Sequence, residues 1–241
     1  LLLTNDDGID APGLAALQAA AAGFGRLRVV APTGPHSGCG HRVTTHEPIA
    51  VTPAGDDRLA VAGTPADCVR LALHHLVPDF SWVLAGINAG GNLGTDVHHS
   101  GTVAAVREAV IHGRPGIALS QYIARGRPID WPAATRRAAA VLDKLLAIPW
   151  EPGTFWNVNL PHPEPGALEP GIVFCPLDPS PLPLAYHVAD DHALYRGDYQ
   201  KRVRQPSSDV DICFRGQIAV TRIRLSLPGD SPSFLTGEVP G

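Results

Sequence analysis

The chain has 241 residues, including 25 Gly and 24 Pro, with 44% hydrophobic residues, 17% charged residues and a formal charge of −4. Normal apolar content and small net charge exclude a wholly disordered chain. The glycines follow no triplet period, which excludes a collagen-like helix, and no window holds the roughly 18–20 uninterrupted apolar residues of a membrane-spanning helix.

Cationic charge is almost all Arg, with Lys only at 144 and 201. A mildly acidic chain of this kind lacks the basic footprint of a protein that binds nucleic-acid polymers. Leu1–Thr4 reads as a buried strand already under way, with a residue or two expected ahead of it. Asn5-Asp6-Asp7 follows too soon for a secretory signal. Cys39, Cys68, Cys175 and Cys213 show no C-x-x-C spacing, so reduced thiols and a cytoplasmic location are expected.

Asp10 is the expected N-cap of an Ala-rich helix to about Ala22, with Pro12 in its first turn. Leu27–Ala31 forms a second strand, closed by Pro32. From Thr33 to His46 the chain is rich in Gly, His and Ser and reads as a long loop. Thr64-Pro65-Ala66-Asp67 starts a helix to about Leu76. Its residues Cys68, Val69, Ala72, Leu73 and Leu76 share one buried face. Trp82–Ala85 is a third strand, ending in the Gly-rich run 86–94. Ser100-Gly101-Thr102 opens a helix through about His112, Ile117–Ser120 is a strand and Pro132–Ala147 a helix. Strands alternating with helices predict an α/β fold, a mostly parallel sheet with helices on both faces. After Pro149, Phe155–Leu160 is a strand and prolines become dense. Asp209–Phe214 and Gln217–Leu225 read as two strands of a hairpin turning at Arg215-Gly216. The expected organisation is a core over 1–150. Residues 151–241 would complete it and add an extended hairpin or arm, without forming an independent domain.

In an open parallel sheet, ligands sit beyond the carboxyl ends of the strands, and three polar clusters fall there. Asp6 and Asp7 are adjacent carboxylates that repel each other. A hard divalent cation is the usual offset; the alternative is an acidic turn at a helix entry. The run Gly86–Gly94 exposes backbone amides, and Asn88 adds a neutral oxygen suited to the same cation; the alternative is an ordinary Gly-rich loop. Ser100-Gly101-Thr102 places hydroxyls and free N–H groups where a phosphate can bind, or Ser100 is a plain N-cap. Ser37 lies in the long loop after the second strand, and His98-His99 stands just before the phosphate-type turn. The Gly-rich run is neither G-x-G-x-x-G nor a P-loop. There is no zinc-type His spacing and no G-x-S-x-G elbow. Together the clusters describe an oxygen-ligand metal beside a phosphate cradle.

The ordered set Asn5-Asp6-Asp7-Gly8, Ala31-Pro32, Ser37-Gly38, Gly63–Val69, Gly86–Gly90, Asn92-Leu93-Gly94 and Ser100–Val103 resembles the survival protein E (SurE) family. The likeness is strong to about residue 120. It continues more weakly through Asn157–Pro161 and Ser208–Asp211. It implies a Rossmann-like fold and a metal-dependent 5′-nucleotidase that hydrolyses nucleoside monophosphates, with 3′-nucleotidase and exopolyphosphatase activities as extensions. It implies one Mg²⁺ or Mn²⁺ per subunit held by Asp6, Asp7, Ser37 and Asn88. Asp6 and Asp7 would act in catalysis, and Asn92, Ser100, Gly101 and Thr102 would contact substrate. Homodimers or homotetramers with exchanged C-terminal segments are also implied. The sequence departs from the family at His99, where an aromatic is usual, and at Ala85 and Arg107. The alternatives are a non-catalytic nucleotide- or phosphate-binding module and a structural oligomer with a vestigial site.

Overall fold

The computed structural model describes residues 1–225. Strand β1 (Leu2–Thr4) is wholly buried, and its first two residues join different cores. Leu3 packs with Leu14, Leu17, Leu84 and Leu142, while Leu2 packs with Val30, Val69, Val83 and Val106. Successive strand side chains point to opposite faces, so an unbroken LLL run is what a strand covered on both sides requires. Helix α1 (Pro12–Ala21) and strand β2 (Arg28–Pro32) follow. Next come β3 (Val51–Pro53), β4 (Arg58–Val61) and α2 (Pro65–Leu71). After them run β5 (Val83–Ala89), α3 (Gly101–Ile111), β6 (Gly116–Gln121) and α4 (Trp131–Leu146).

The remaining elements are β7 (Thr154–Leu160), β8 (Ile172–Phe174), β9 (Tyr186–Val188), β10 (Ala193–Tyr195), α5 (Asp209–Phe214) and β11 (Ile218–Arg224). Nine strands form one sheet in the order β3-β4-β2-β1-β5-β6-β7-β11-β8. All of its pairings are parallel except β3 with β4 and β7 with β11. Helices α1 and α4 pack together, as do α2 and α3, and the two pairs cover opposite faces. The fold is the expected Rossmann-like α/β sheet. From β1 the chain order runs outward both ways, through β2 and β4 on one side and β5, β6 and β7 on the other. The crevice between β1 and β5 is therefore the topological switch point. Among the described residues no helix is long and apolar enough to cross a membrane.

The structure corrects several local expectations. Asp10 does not cap α1; the N-cap is Ala11, without a side-chain cap bond, although Pro12 does open the helix. Thr64 and Asp67 form the expected reciprocal capping box of α2, but the helix widens to a π-turn over Ala72–Leu76. Strand β5 continues past Ala85 to Ala89, so Asn88 is a strand-end residue rather than a loop residue. Asp209–Phe214 is a helix, not a strand. Ser208 accepts the Asp211 N–H, Asp209 and Asp211 suit the positive helix end, and Val210 and Cys213 are buried one turn apart. Strand β11 thus has no hairpin partner at 209–214 and pairs with β7 and β8 instead. The antiparallel pair β3 with β4 has no signal in the residue pattern, whereas β9 with β10 is a short antiparallel pair within the region expected to add a hairpin or arm. The last part of the expected arm, residues 226–241, lies outside the described residues.

Candidate active site

The end of β1 places Asp6 in the switch-point crevice. Asp6 is 4% exposed, and its Oδ1 accepts the Thr102 hydroxyl from the first turn of α3. Burial pushes its carboxyl up to about 6. The Thr102 hydrogen bond opposes that shift and the charge of Asp7 adds to it. Asp7 reaches across the crevice, where its Oδ2 accepts the Ala89 N–H at 3.1 Å. The two carboxylates therefore tie β1 to α3 on one side and to the end of β5 on the other.

Close approach here depends on glycine. A Cβ on Gly101 would lie 2.9 Å from both Cβ and Oδ2 of Asp6 and 3.1 Å from Cys39 Sγ. Gly101→Ala is expected to cost about 1–3 kcal/mol through overpacking and to lower activity at least tenfold by displacing Asp6. Urea midpoints and turnover rates measure the two effects. Gly86 matters in a different way. Its φ of +134° accompanies a register shift of β5 against β6, and a Cβ there would stand 2.2 Å from the Leu119 carbonyl. This irregularity carries the strand on to Asn88. The Asn88 side-chain N–H donates to the Gly90 carbonyl at 2.7 Å, which turns its amide oxygen the other way.

The long loop docks on the same end of the sheet. His36 N–H donates to the Asp6 carbonyl at 2.7 Å, and Gly40 N–H donates to the His99 carbonyl at 3.1 Å. Ser37 sits exposed in the turn between these anchors, one residue from a direct tie to Asp6. Ser100 behaves as the N-cap, accepting the Val103 N–H at 3.1 Å. The Asn92 side chain makes no hydrogen bond to Asp6 among the described residues. It is buried and donates to Ser120 Oγ at 2.8 Å, while Asn157 and Asn159 both donate to its carbonyl. It therefore holds the Gly-rich loop to the sheet.

Among the described residues no three His, Cys, Asp or Glu side chains gather as metal ligands. The expected set differs from such a cluster: two carboxylates, one hydroxyl and one amide, all hard oxygen donors suited to Mg²⁺ or Mn²⁺. Burial, with a smaller contribution from the adjacent Asp7 charge, lifts the Asp6 carboxyl, and a cation would offset both. The residues fit the ion.

Residue patterns did not reveal what stands behind this site. Asp96 Oδ2 accepts the Tyr199 hydroxyl at 2.6 Å, Arg202 Nη1 at 3.0 Å and the Leu93 N–H. Asp209 Oδ2 accepts the Gly94 N–H at 2.7 Å, and its Oδ1 accepts those of Asp178 and Val210. Burial raises the Asp209 carboxyl to about 6 despite those amide donors. A buried clamp from residues 178–210 thus fixes the turn between Asn92 and Ser100. Its one sequence signal was the acidic pair Asp209 and Asp211, which the strand reading hid.

Glu108 anchors the other flank. Its Oε2 meets His41 Nε2 at 2.6 Å, and its Oε1 meets Arg70 Nη1 at 2.9 Å and His112 Nε2 at 3.0 Å. Burial opposes the charged form, but the hydrogen bonds from His41, His112 and Arg70 outweigh it and bring the carboxyl down to about 2. A depressed carboxyl adds stability that is present above its ordinary value near 4.5 and is lost as pH falls through the folded value. Glu108→Gln is expected to lower Tm at pH 7 and to flatten its decline between about pH 4.5 and 2. A parallel fall in both proteins would count against the three-way pairing.

The family model for survival protein SurE matches residues 1–178. A protein of Nostoc sp., provisionally named a 5′-nucleotidase, is 52% identical over 225 residues, covering 93% of this chain and 99% of its own. The 5′-nucleotidase SurE of Moorella thermoacetica is 37% identical over 245 residues, covering 94% and 90%. The crystal structure of the SurE protein from Aquifex aeolicus superposes with a TM-score of 0.82 at 30% identity, covering 95% and 94%.

Proposed function

The chain belongs to the survival protein SurE family, and on that premise we propose that it is a 5′-nucleotidase, a phosphomonoesterase that converts nucleoside monophosphates to nucleoside and phosphate. The observation that carries this reading is the buried Asp6 carboxylate. It is bonded to Thr102 at the start of α3 and sits beside Asp7 at the switch point of the sheet. The relatives described above carry enzyme names, which favours turnover over a binding module or a vestigial site.

Asp6, Asp7, Ser37 and Asn88 would hold one Mg²⁺ or Mn²⁺. Such an ion polarises a phosphoryl oxygen and lowers the pKa of a bound water. The chain's own contribution is placement. Thr102 orients Asp6, and Ala89 N–H orients Asp7. The first-turn amides of α3, at Gly101 and Thr102, would receive the phosphoryl group, since helix N–H groups stabilise developing negative charge. Ser100 supports this as the cap that sets the helix start. Asn92 contributes by holding the Gly-rich loop. An in-line attack by water needs no covalent nucleophile from the chain.

Residues 1–150 form the catalytic core in this reading, and 151–241 complete it and supply an oligomerisation arm. The exposed apolar residues on β9 and β10, with Tyr186 55% and Val188 72% exposed, support a homodimer or homotetramer. Free thiols at all four cysteines suit a cytoplasmic location.

The test is a phosphate-release screen over nucleoside 5′- and 3′-monophosphates and polyphosphate, with and without Mn²⁺. Release from 5′-monophosphates that stops on adding EDTA is expected. Tight nucleotide binding without release would favour the binding module.

A further inference from the structure

The geometry points to a second binding site, for a phosphorylated small molecule, in the pocket between α2 and the end of α3. This cavity of about 560 Å³ is lined by Arg70, Leu71, Leu73, His74, His112 and Arg114. Its volume lies within the range of small-molecule sites, about 300–1,000 Å³. The lining holds two guanidinium groups and two imidazoles and no carboxylate. Glu108, which pairs with two of the lining residues, has a side chain only 4% exposed and is already shared among Arg70, His112 and His41. Arg114 makes no ion pair among the described residues. Its guanidinium lies over the Phe80 ring, 5.7 Å from the centroid, which leaves the planar fork's edge for a ligand. Arginine forks match phosphate oxygens in a bidentate manner. Leu71 and Leu73 offer an apolar wall for the rest of the molecule.

The pocket also has a physical link to the loop that carries Ser37. Glu108 Oε1 meets Arg70 and His112 of the pocket lining, while its Oε2 holds His41, four residues beyond Ser37. An oxyanion that takes Arg70 and His112 competes with Glu108 Oε1 and changes the field on His41. Occupancy is therefore read at the loop docked on Asp6 and His99. Only this coupling rests on the proposed nucleotidase reading; the pocket itself does not.

The shared ligand chemistry is a phosphate oxyanion, available either as inorganic phosphate or as a nucleoside monophosphate. The test is calorimetric titration of the full chain with inorganic phosphate and, separately, with AMP. Both are run in EDTA to remove the catalytic ion, on wild type, Arg114→Gln and His74→Gln. A site that persists in EDTA and weakens at least tenfold in Arg114→Gln is expected. Tighter AMP than phosphate identifies the nucleotide as occupant; equal affinity identifies the phosphate group alone. Binding unaltered in both variants, or none at about 10 mM of either probe, would overturn the proposal. Because the titration reads binding, it decides the pocket even if the protein releases no phosphate. In turnover assays, added phosphate should raise KM for AMP in wild type more than in Arg114→Gln, whose rate without added phosphate stays unchanged. An identical rise in both would overturn the coupling.

Discussion

Asp6→Asn is expected to lower kcat by about a thousandfold at saturating Mn²⁺, a loss of about 4 kcal/mol at 1.36 kcal/mol per factor of ten. It should do so without weakening the fold. Asparagine keeps the shape and an oxygen that can accept the Thr102 hydroxyl. What it removes is one negative charge from a site read as holding a divalent ion, where such ions supply several kcal/mol of charge stabilisation. Asp6 is buried, and that burial already disfavours its charged form. The neutral amide therefore relieves a cost, and the metal-free variant should melt no lower than metal-free wild type. A scaffold role would reverse this pattern, with a lower Tm and activity lost only in proportion to unfolding. Calorimetric titration with Mn²⁺ gives the third reading, weaker binding in the variant. Activity that survives both Asp6→Asn and EDTA would remove the metal from the mechanism.

The parts legible in the residue pattern are those governed by local chemistry. Thr64-Pro65-Ala66-Asp67 announced its helix because cap, proline and acid all serve the same four amides, and the structure shows both halves of the capping box. Leu1–Thr4 announced a central strand because both its faces had to be apolar. Asp6, Asp7 and Thr102 were legible as polar residues at strand and helix ends, and the structure brings Asp6 and Thr102 into contact across 96 positions. What was not legible depended on distant partners. Asp209–Phe214 alternates like a strand, yet the Ser208 cap and the bonds from Asp209 to Gly94 and Asp178 favour a helix. Asn92 is a substrate contact only as the family resemblance implies, and no residue pattern shows what it holds: its side chain meets Ser120, and its backbone meets a pair of asparagines on β7. No spacing in the chain announces that layer, because its members come from three separate strands and loops.

Arg202 carries the second large prediction. Its side chain is fully buried and pairs with Asp96, itself 5% exposed, at 3.0 Å. It also donates to the Leu93 carbonyl and lies over the Tyr199 ring, 5.1 Å from the centroid. Its Nε and Nη2 have no partner among the described residues. A buried guanidinium so incompletely bonded is a poor source of stability, since desolvating it offsets most of the attraction. Removing it alone is worse, because Asp96 then keeps its charge in a buried site. Arg202→Met should cost about 3–5 kcal/mol, read from urea midpoints, and adding Asp96→Asn to the same chain should recover part of that loss. If the double variant is less stable by the sum of the two single losses, the ion pair is not what holds this turn. The consequence for activity follows from position. Asp96 fixes Leu93 on one side, and its carbonyl accepts the Ser100 N–H on the other. At temperatures where Arg202→Met remains folded, the start of α3 should lose its alignment with Asp6. The rate for a nucleoside monophosphate should then fall while Mn²⁺ still binds, because Asp6 and Asp7 follow β1 and Asn88 lies in β5, away from the hydrogen bonds of this clamp. Loss of Mn²⁺ binding together with the rate would instead place the clamp beneath the metal ligands themselves.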